Sequence, residues 1–217
     1  MFRGKKEKRI ILMIKNIVFD IGNVLIDFAW KATMEELGFD KECIDTLDRG
    51  FINNDLWDEM DRGVLSFDEV VKLATDKMPA YEKEIRLFVD NLILTIRPFD
   101  YSEKWVKDLK SKGFNVYLCT NYPDSTFEES VNRGLFPFYP YIDGKIVSSR
   151  VHLLKPSVEI FNALFDKYNL KAEECVFFDD KQRNVNGAIK AGMNAFVFEG
   201  YEKACKDLED LVESLNK

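Results

Sequence analysis

Short apolar runs alternate with helical patterns along most of this chain. Three runs are rich in Val and Phe, lack polar alternation and end in polar residues; they are Asn16–Asp20, Asn115–Asn121 and Cys175–Asp180. A fourth run, Ala195–Phe198, lies nearer the C-terminus. Such runs are typical of strands that are covered on both faces. The pattern therefore predicts a parallel sheet that lies between layers of helices.

Apolar residues at helical spacing separate these runs. Within 102–112, Trp105, Val106 and Leu109 share one face, and Gly113 is placed to end the helix. An alternation of strands and helices implies right-handed crossovers between parallel strands. The predicted fold class is α/β, with a doubly wound parallel-sheet core.

Residues 29–98 depart from the alternation, because they show no strand pattern. Ser66 and Glu69 form a capping-box sequence at the start of one helix, and an apolar stripe over 85–96 predicts another helix. We predict a helical bundle inserted after the first strand. The predicted organisation is a disordered extension or tag at 1–12, a core of 13–28 and 99–217, and a helical insert at 29–98.

Composition narrows the class of partner and the compartment. The chain has a net charge of −7, whereas nucleic-acid binding requires clustered Lys and Arg. No stretch approaches the roughly 20 apolar residues of a membrane span. The four cysteines show no metal-type spacing, and Cys119 and Cys175 lie inside apolar runs. We expect a cytoplasmic protein without nucleic-acid or membrane partners, either a monomer or a small homo-oligomer.

Polar side chains end the three apolar runs. They are Asp20 after the first run, Thr120 and Asn121 at the end of the second, and Asp179 and Asp180 at the end of the third. In open parallel sheets, ligands bind beyond the carboxyl ends of the strands. We therefore expect these side chains to converge on one site.

These residue types suit chemistry at phosphorus. A carboxylate can attack phosphorus or an alkyl carbon and form a covalent ester. A Mg²⁺ between Asp20, Asp180 and a backbone carbonyl would relieve the repulsion between a carboxylate and a phosphate. Lys155 would add a second positive charge, and Thr120 would hydrogen-bond phosphate oxygens. Each residue taken alone is also an ordinary turn or cap residue, and a lone His152 gives little support for a histidine metal site.

The order of these motifs resembles the haloacid dehalogenase superfamily. The matching stretches are "FDIGNVLID", "LCTN", "KPSVEIF" and "FFDDKQRNVNGAIKAGM", within residues 14–215. Inside the insert, "DRGVLSFDEV" resembles the cap of phosphatases that include sugar-phosphate hydrolases of the glucose-1-phosphate type. The resemblance implies a Rossmann-like core with a mobile helical cap that covers the site and selects the substrate.

The resemblance also implies roles in binding and attack. Asp20 would be the nucleophile. Thr120 would bind the phosphate with Asn121 beside it, and Lys155 would steady both the nucleophile and the phosphate.

A Mg²⁺ site is implied by the same likeness. Asp20 and Asp180 would be its acidic ligands, and Gly22 would offer its backbone carbonyl. Asp179 and Asn184 would be supporting or water-mediated partners.

Two positions depart from the family pattern. Most phosphatases of the superfamily carry an acid where Gly22 stands, so the proton for the leaving group would come from Asp27 or from water. Glycine at this position is expected to permit a tight turn. His152 stands where related sequences usually have Gly, which is expected to reshape the loop before Lys155.

The predicted activity is that of a Mg²⁺-dependent phosphatase, an enzyme that hydrolyses a small phosphorylated metabolite, such as a sugar phosphate, through an aspartyl-phosphate. The alternatives are a 2-haloacid dehalogenase-type hydrolase and a catalytically weak binding or regulatory protein of the same fold. Trp30, Trp57 and Arg62 are candidates for substrate contact, against the simpler interpretation of packing and surface charge.

Overall fold

The computed structural model describes residues 14–215, so the predicted extension at 1–12 lies outside the described part. Five strands form one parallel sheet in the order β5–β4–β1–β6–β7, and β2 pairs with β3 in an antiparallel ribbon. The strands are β1 Asn16–Phe19, β2 Ile26–Phe28, β3 Ile96–Pro98, β4 Asn115–Thr120, β5 Gly144–Val147, β6 Cys175–Asp179 and β7 Asn194–Val197.

Helices lie between most of the strands and after the last one. They are α1 Trp30–Glu36, α2 Lys41–Leu47, α3 Asp55–Arg62, α4 Phe67–Lys77, α5 Glu82–Asp90, α6 Ser102–Ser111, α7 Asp124–Asn132, α8 Ser148–Val151, α9 Val158–Tyr168, α10 Gln182–Lys190 and α11 Tyr201–Leu215. Gly113 follows α6 with a φ of 89°, as expected of a helix-ending glycine. Among residues 14–215, no helix is long and apolar enough to cross a membrane.

The large sheet is buried on both faces. Side chains of successive strand residues point to opposite faces, so Phe19 packs with Trp105 of α6, whereas Val18 packs with Phe161 of α9. All three of the central strands β4, β1 and β6 are buried apart from Asn115 at the start of β4. The predicted α/β class with a doubly wound parallel sheet is confirmed.

The segment between β2 and β3 contains α1–α5 and its own apolar cluster, which includes Phe51, Met60 and Phe88. The capping box of Ser66 and Glu69 is present at the start of α4. The stripe over 85–96 does not form one helix, because α5 ends at Asp90 and a 3₁₀ turn follows. The side chain of Asn91 donates to the carbonyl of Leu87 at the point of the break.

The C-terminal end of α3 lies against α8 of the sheet region, and we call this junction the α3–α8 contact. Ser148 Oγ donates to the carbonyl of Asp61, and His152 Nδ1 lies 3.0 Å from the carbonyl of Arg62. Gly63 has a φ of 66°, and a Cβ there would lie 2.6 Å from the Cβ of Ser149. The junction thus fixes the residues at the end of α3 relative to the sheet.

Candidate active site

Asp20 follows β1 at the carboxyl end of the central strand. Its backbone N–H donates to the carbonyl of Phe178 in β6, and Asp20 as a whole is only 8% exposed to solvent. Because β1 lies between β4 and β6, the residues that end those strands are its nearest neighbours along the sheet edge. The sheet therefore delivers Asp20 to the middle of the candidate site.

Lys155 joins two of the carboxylates. Its Nζ lies 2.8 Å from Asp20 Oδ1 and 2.6 Å from Asp179 Oδ2, and its side chain is 1% exposed. Burial alone would lower the pKa of Lys155, but Asp179 and Asp20 outweigh burial and raise it. The lysine is therefore a fixed positive charge beside Asp20.

Burial raises the pKa of Asp20 to about 6, against the opposing effect of Lys155; Asp179 and Asp180 raise it further. The positive charge of Lys155 therefore does not fully compensate the negative charge of an ionised Asp20. A divalent cation would lower this pKa and favour the ionised form of Asp20.

Asp179 is held from several sides. Besides Lys155, its oxygens accept hydrogen bonds from Asn184 Nδ2 at 3.0 Å and from the backbone N–H of Lys181 at 2.8 Å. Asn184 thus orients Asp179, and Asp179 in turn orients Lys155. Asn184 Oδ1 remains buried without a hydrogen-bond partner in the described chain.

Asp180 and Gly22 line the same cavity as Asp20. Asn23 donates from Nδ2 to Asp180 Oδ2 at 2.9 Å and accepts from the backbone N–H of Phe28. Gly22 lies in the tight turn that the Val24 N–H closes onto the Ile21 carbonyl, but the left-handed residue of this turn is Asn23, with a φ of 56°. A Cβ at Gly22 would meet no atom within 4 Å.

Oxygen atoms of Asp20, Asp179 and Asp180 lie within 4.8 Å of one another. An all-oxygen donor set is the kind that Mg²⁺ prefers, and Mg²⁺ usually retains several waters. The unpartnered Asn184 Oδ1 is an acceptor suited to such a water. The residues present therefore fit a magnesium ion, with Asp20, Asp180 and the Gly22 carbonyl as the predicted ligands.

Thr120 ends β4 with its hydroxyl buried and without a partner in the described chain. A hydroxyl in this state is suited to an incoming phosphate oxygen. Asn121 is engaged differently: its Oδ1 accepts from the backbone N–H of Lys155 at 2.9 Å, and its Nδ2 donates to the Lys155 carbonyl at 3.2 Å. Its amide therefore positions the loop that carries Lys155.

Asp27 is the predicted residue that the structure does not bring to the site. Ile26 and Phe28 line the cavity, whereas Asp27 between them does not. Side chains alternate across a strand, so the carboxylate of Asp27 in β2 points away. This placement argues against Asp27 as the proton donor.

A cavity of about 430 Å³ separates these residues from the helical segment. Its apolar wall includes Trp57 of α3, whose ring centroid lies 5.5 Å from that of Phe28. Trp30 and Arg62 do not line it. Asp61 of α3 does line it, although sequence reasoning did not single it out.

A sequence profile of the haloacid dehalogenase-like hydrolases matches residues 14–192. The chain belongs to the haloacid dehalogenase-like hydrolases. This family membership agrees with the motif order and with the residues at the carboxyl edge of the sheet.

Characterised relatives of this haloacid dehalogenase-like chain include phosphatases. A sesquiterpene phosphatase from Aspergillus oryzae is 26% identical over 91% of this chain and 96% of its own length. A glyceraldehyde 3-phosphate phosphatase from Methanocaldococcus jannaschii is 26% identical over 91% and 90% of the two chains. Among solved structures, a family enzyme from Bacteroides thetaiotaomicron in complex with magnesium and inorganic phosphate is 20% identical, with a TM-score of 0.66, over 85% and 93% of the chains.

Proposed function

We propose that this protein is a phosphatase that requires Mg²⁺ and hydrolyses a small phosphorylated metabolite through an aspartyl-phosphate. The observation that carries the proposal is the buried contact of Asp20 with Lys155, beside Asp179 and Asp180. The phosphatase names of the two relatives support the choice of reaction within the family. A sugar phosphate is one member of the proposed substrate class.

In the proposed reaction, an oxygen of Asp20 attacks the phosphorus of the ester. Lys155 holds Asp20 and attracts the phosphate, while the free hydroxyl of Thr120 donates to a phosphate oxygen. Asp20, Asp180 and the Gly22 carbonyl would hold Mg²⁺, which supplies positive charge to the phosphate. Water then hydrolyses the acyl-phosphate and restores Asp20.

The dehalogenase alternative uses the same nucleophile on an alkyl halide. Asp179 is paired with Lys155, so it would be of use with or without a metal. Asp180 lies beside Asp20 and accepts a hydrogen bond from the neutral Asn23, so without a metal its charge would repel that of Asp20. The presence of Asp180 therefore favours phosphate chemistry, and it also favours an enzyme over a merely binding member of the fold.

Residues 29–98 are proposed to act as the cap that selects the substrate. The support is that Trp57, Asp58 and Asp61 of α3 line the same cavity as Asp20. A substrate in this cavity would contact the cap with its organic part and the sheet edge with its phosphate.

The test is phosphate release from a panel of phosphorylated metabolites and para-nitrophenyl phosphate, with Mg²⁺ and with excess chelator. We expect turnover with Mg²⁺, its loss on chelation, and its recovery when Mg²⁺ is returned. Release of halide from 2-haloacids without phosphate release would assign the protein to the dehalogenase alternative. Full phosphatase activity in chelator would contradict the metal requirement.

A further inference from the structure

Asp61 is a buried carboxylate that the reaction described above leaves unused. It lies near the end of α3, is 7% exposed and lines the same cavity as Asp20 and Lys155. The same cavity is lined by Asp180 as well. A largely buried carboxyl that borders such a cluster of charged groups is a candidate for a part in the reaction.

The two positions after Asp20 at which a proton-donating carboxyl is expected do not provide one to the cavity. The position two residues after Asp20 is Gly22, which has no side chain, and Asp27 is turned away from the cavity. An alkoxide leaving from phosphorus accumulates negative charge and requires a proton. Apart from Asp20 and Asp180, the carboxyls that line the cavity all belong to α3.

We propose that Asp61 is the catalytic acid and base of this enzyme, delivered from the cap in place of the residue missing at Gly22. The proposal rests on the proposed phosphatase function. The α3–α8 contact fixes the backbone of Asp61 through the hydrogen bond from Ser148, so the carboxyl has a defined position when the cavity is covered.

In the first step, Asp20 forms a bond to phosphorus, and the bond between phosphorus and the leaving oxygen breaks with its electron pair on that oxygen. Protonated Asp61 transfers its proton to this oxygen, which gives the alcohol and an Asp61 carboxylate. In the second step, the carboxylate takes a proton from the attacking water, phosphate is released, and Asp20 and protonated Asp61 are both restored.

The surroundings of Asp61 favour its protonated form before the first step. Burial raises its pKa to about 8, against the opposing effect of Lys181; Asp58 and Asp20 raise it further, and Lys155 lowers it. Asp58 lies on the same helix, whereas the other three groups belong to the edge of the sheet. A carboxyl that is protonated near neutral pH is suited to proton transfer in both directions.

The experiment compares single-turnover rates of the Mg²⁺-loaded protein for aryl phosphates of increasing leaving-group pKa. Wild-type protein should show a shallow dependence. Asp61→Asn should lose about 10²- to 10⁴-fold with phenyl phosphate, the range typical of general acid catalysis, and far less with dinitrophenyl phosphate. Asp27→Asn is the matched control and should leave the slope of the dependence unchanged.

A rescue variant distinguishes proton donation from packing. A Cβ at Gly22 would meet no atom within 4 Å, so Gly22→Asp in the Asp61→Asn background should restore a shallow dependence and recover most of the loss with phenyl phosphate. An equal loss by Asp61→Asn for all esters would overturn the role of Asp61. If that variant does not fold, as circular dichroism would show, the wild-type slope decides: a shallow slope supports the proposal and a steep one overturns it. A wild type that releases no phosphate from any ester would instead overturn the proposed function.

Discussion

Lys155 is buried between carboxylates that would repel one another without its positive charge. Its ammonium group contacts Asp20 and Asp179 with almost no exposure to solvent. Removing one partner of a buried ion pair leaves an uncompensated charge, which costs more than the pair itself contributes. We therefore expect the lysine to contribute to stability as well as to the proposed reaction.

Lys155→Met should lower the free energy of unfolding in the absence of Mg²⁺ by about 3–5 kcal/mol. The physical reason is that Asp20, Asp179 and Asp180 then repel one another without a cation between them. Urea denaturation measures the change, and Lys190→Met, which replaces an exposed lysine of α10, is the control. Equal stability of the two variants would show that the buried contacts of Lys155 do not stabilise the carboxyl ends of the strands.

The raised pKa of Asp61 leads to a prediction: the difference in stability between wild type and Asp61→Asn should depend on pH. Its pKa is raised to about 8 in the folded protein, so the folded state retains a proton that the unfolded chain has lost above about pH 4. The stability contributed by this group is therefore full below pH 4 and is lost as the pH rises to 8. Asn does not titrate, so the free energy of unfolding of Asp61→Asn should increasingly exceed that of wild type between pH 4 and pH 8. Above pH 8 the difference should stay constant. Melting temperatures over this range test the prediction, and a constant difference throughout would contradict it.

The residues that end strands were accessible to sequence reasoning, because their position follows from an apolar run that stops. Asp20, Thr120 and Asp180 belong to this group. Asn23 and Asp61 were not accessible in the same way. Asn23 contacts Asp180 across 157 positions, and Asp61 reaches the cavity only because α3 docks on α8. Contacts of this kind depend on tertiary packing.

At the scale of elements, the α3–α8 contact explains the unusual histidine before Lys155. His152 has a φ of 57°, the left-handed region in which Gly is favoured, and its ring contacts the Arg62 carbonyl. Since a carbonyl only accepts, Nδ1 is the donor in this contact. The strained backbone is thus accompanied by a hydrogen bond to the helical segment.

Substitutions of His152 separate these two effects. His152→Gly and His152→Ala both lose the ring contact, so both should raise KM for the preferred metabolite to the same extent. Only alanine retains the strain of a positive φ, so it should be less stable than the glycine variant by about 1 kcal/mol. Steady-state kinetics and thermal unfolding measure the two quantities. An unchanged KM in both variants would show that the ring does not help to place α3.

Sequence patterns predicted long elements better than short ones. The buried strands β1, β4 and β6 and the helices α4 and α6 follow clear patterns, whereas β2 and β3 have three residues each and show no periodicity. Their pairing, with Asp27 opposite Arg97, is what turns Asp27 away from the cavity. This pairing, which spacing along the chain does not predict, argues against Asp27 as the proton donor.

At the scale of the whole molecule, the sheet order determines where the chemistry occurs. Placing β1 between β4 and β6 brings Thr120, Asp20 and Asp180 to one edge from widely separated parts of the chain. The strand–helix alternation predicted the parallel sheet but not this order. The family membership and the acidic cluster agree with a site for phosphate and a cation at that edge.

The most direct test of the account is acid-quenched single turnover of a phosphate ester, followed by mass spectrometry of the peptide that contains Asp20. We predict one phosphoryl group on Asp20 when Mg²⁺ is present and none after chelation. Asp20→Asn should remain folded, carry no phosphoryl group and lose nearly all turnover. A phosphoryl group on another residue, or more than about a tenth of the wild-type rate in Asp20→Asn, a barrier change of only ~1.4 kcal/mol, would contradict the account.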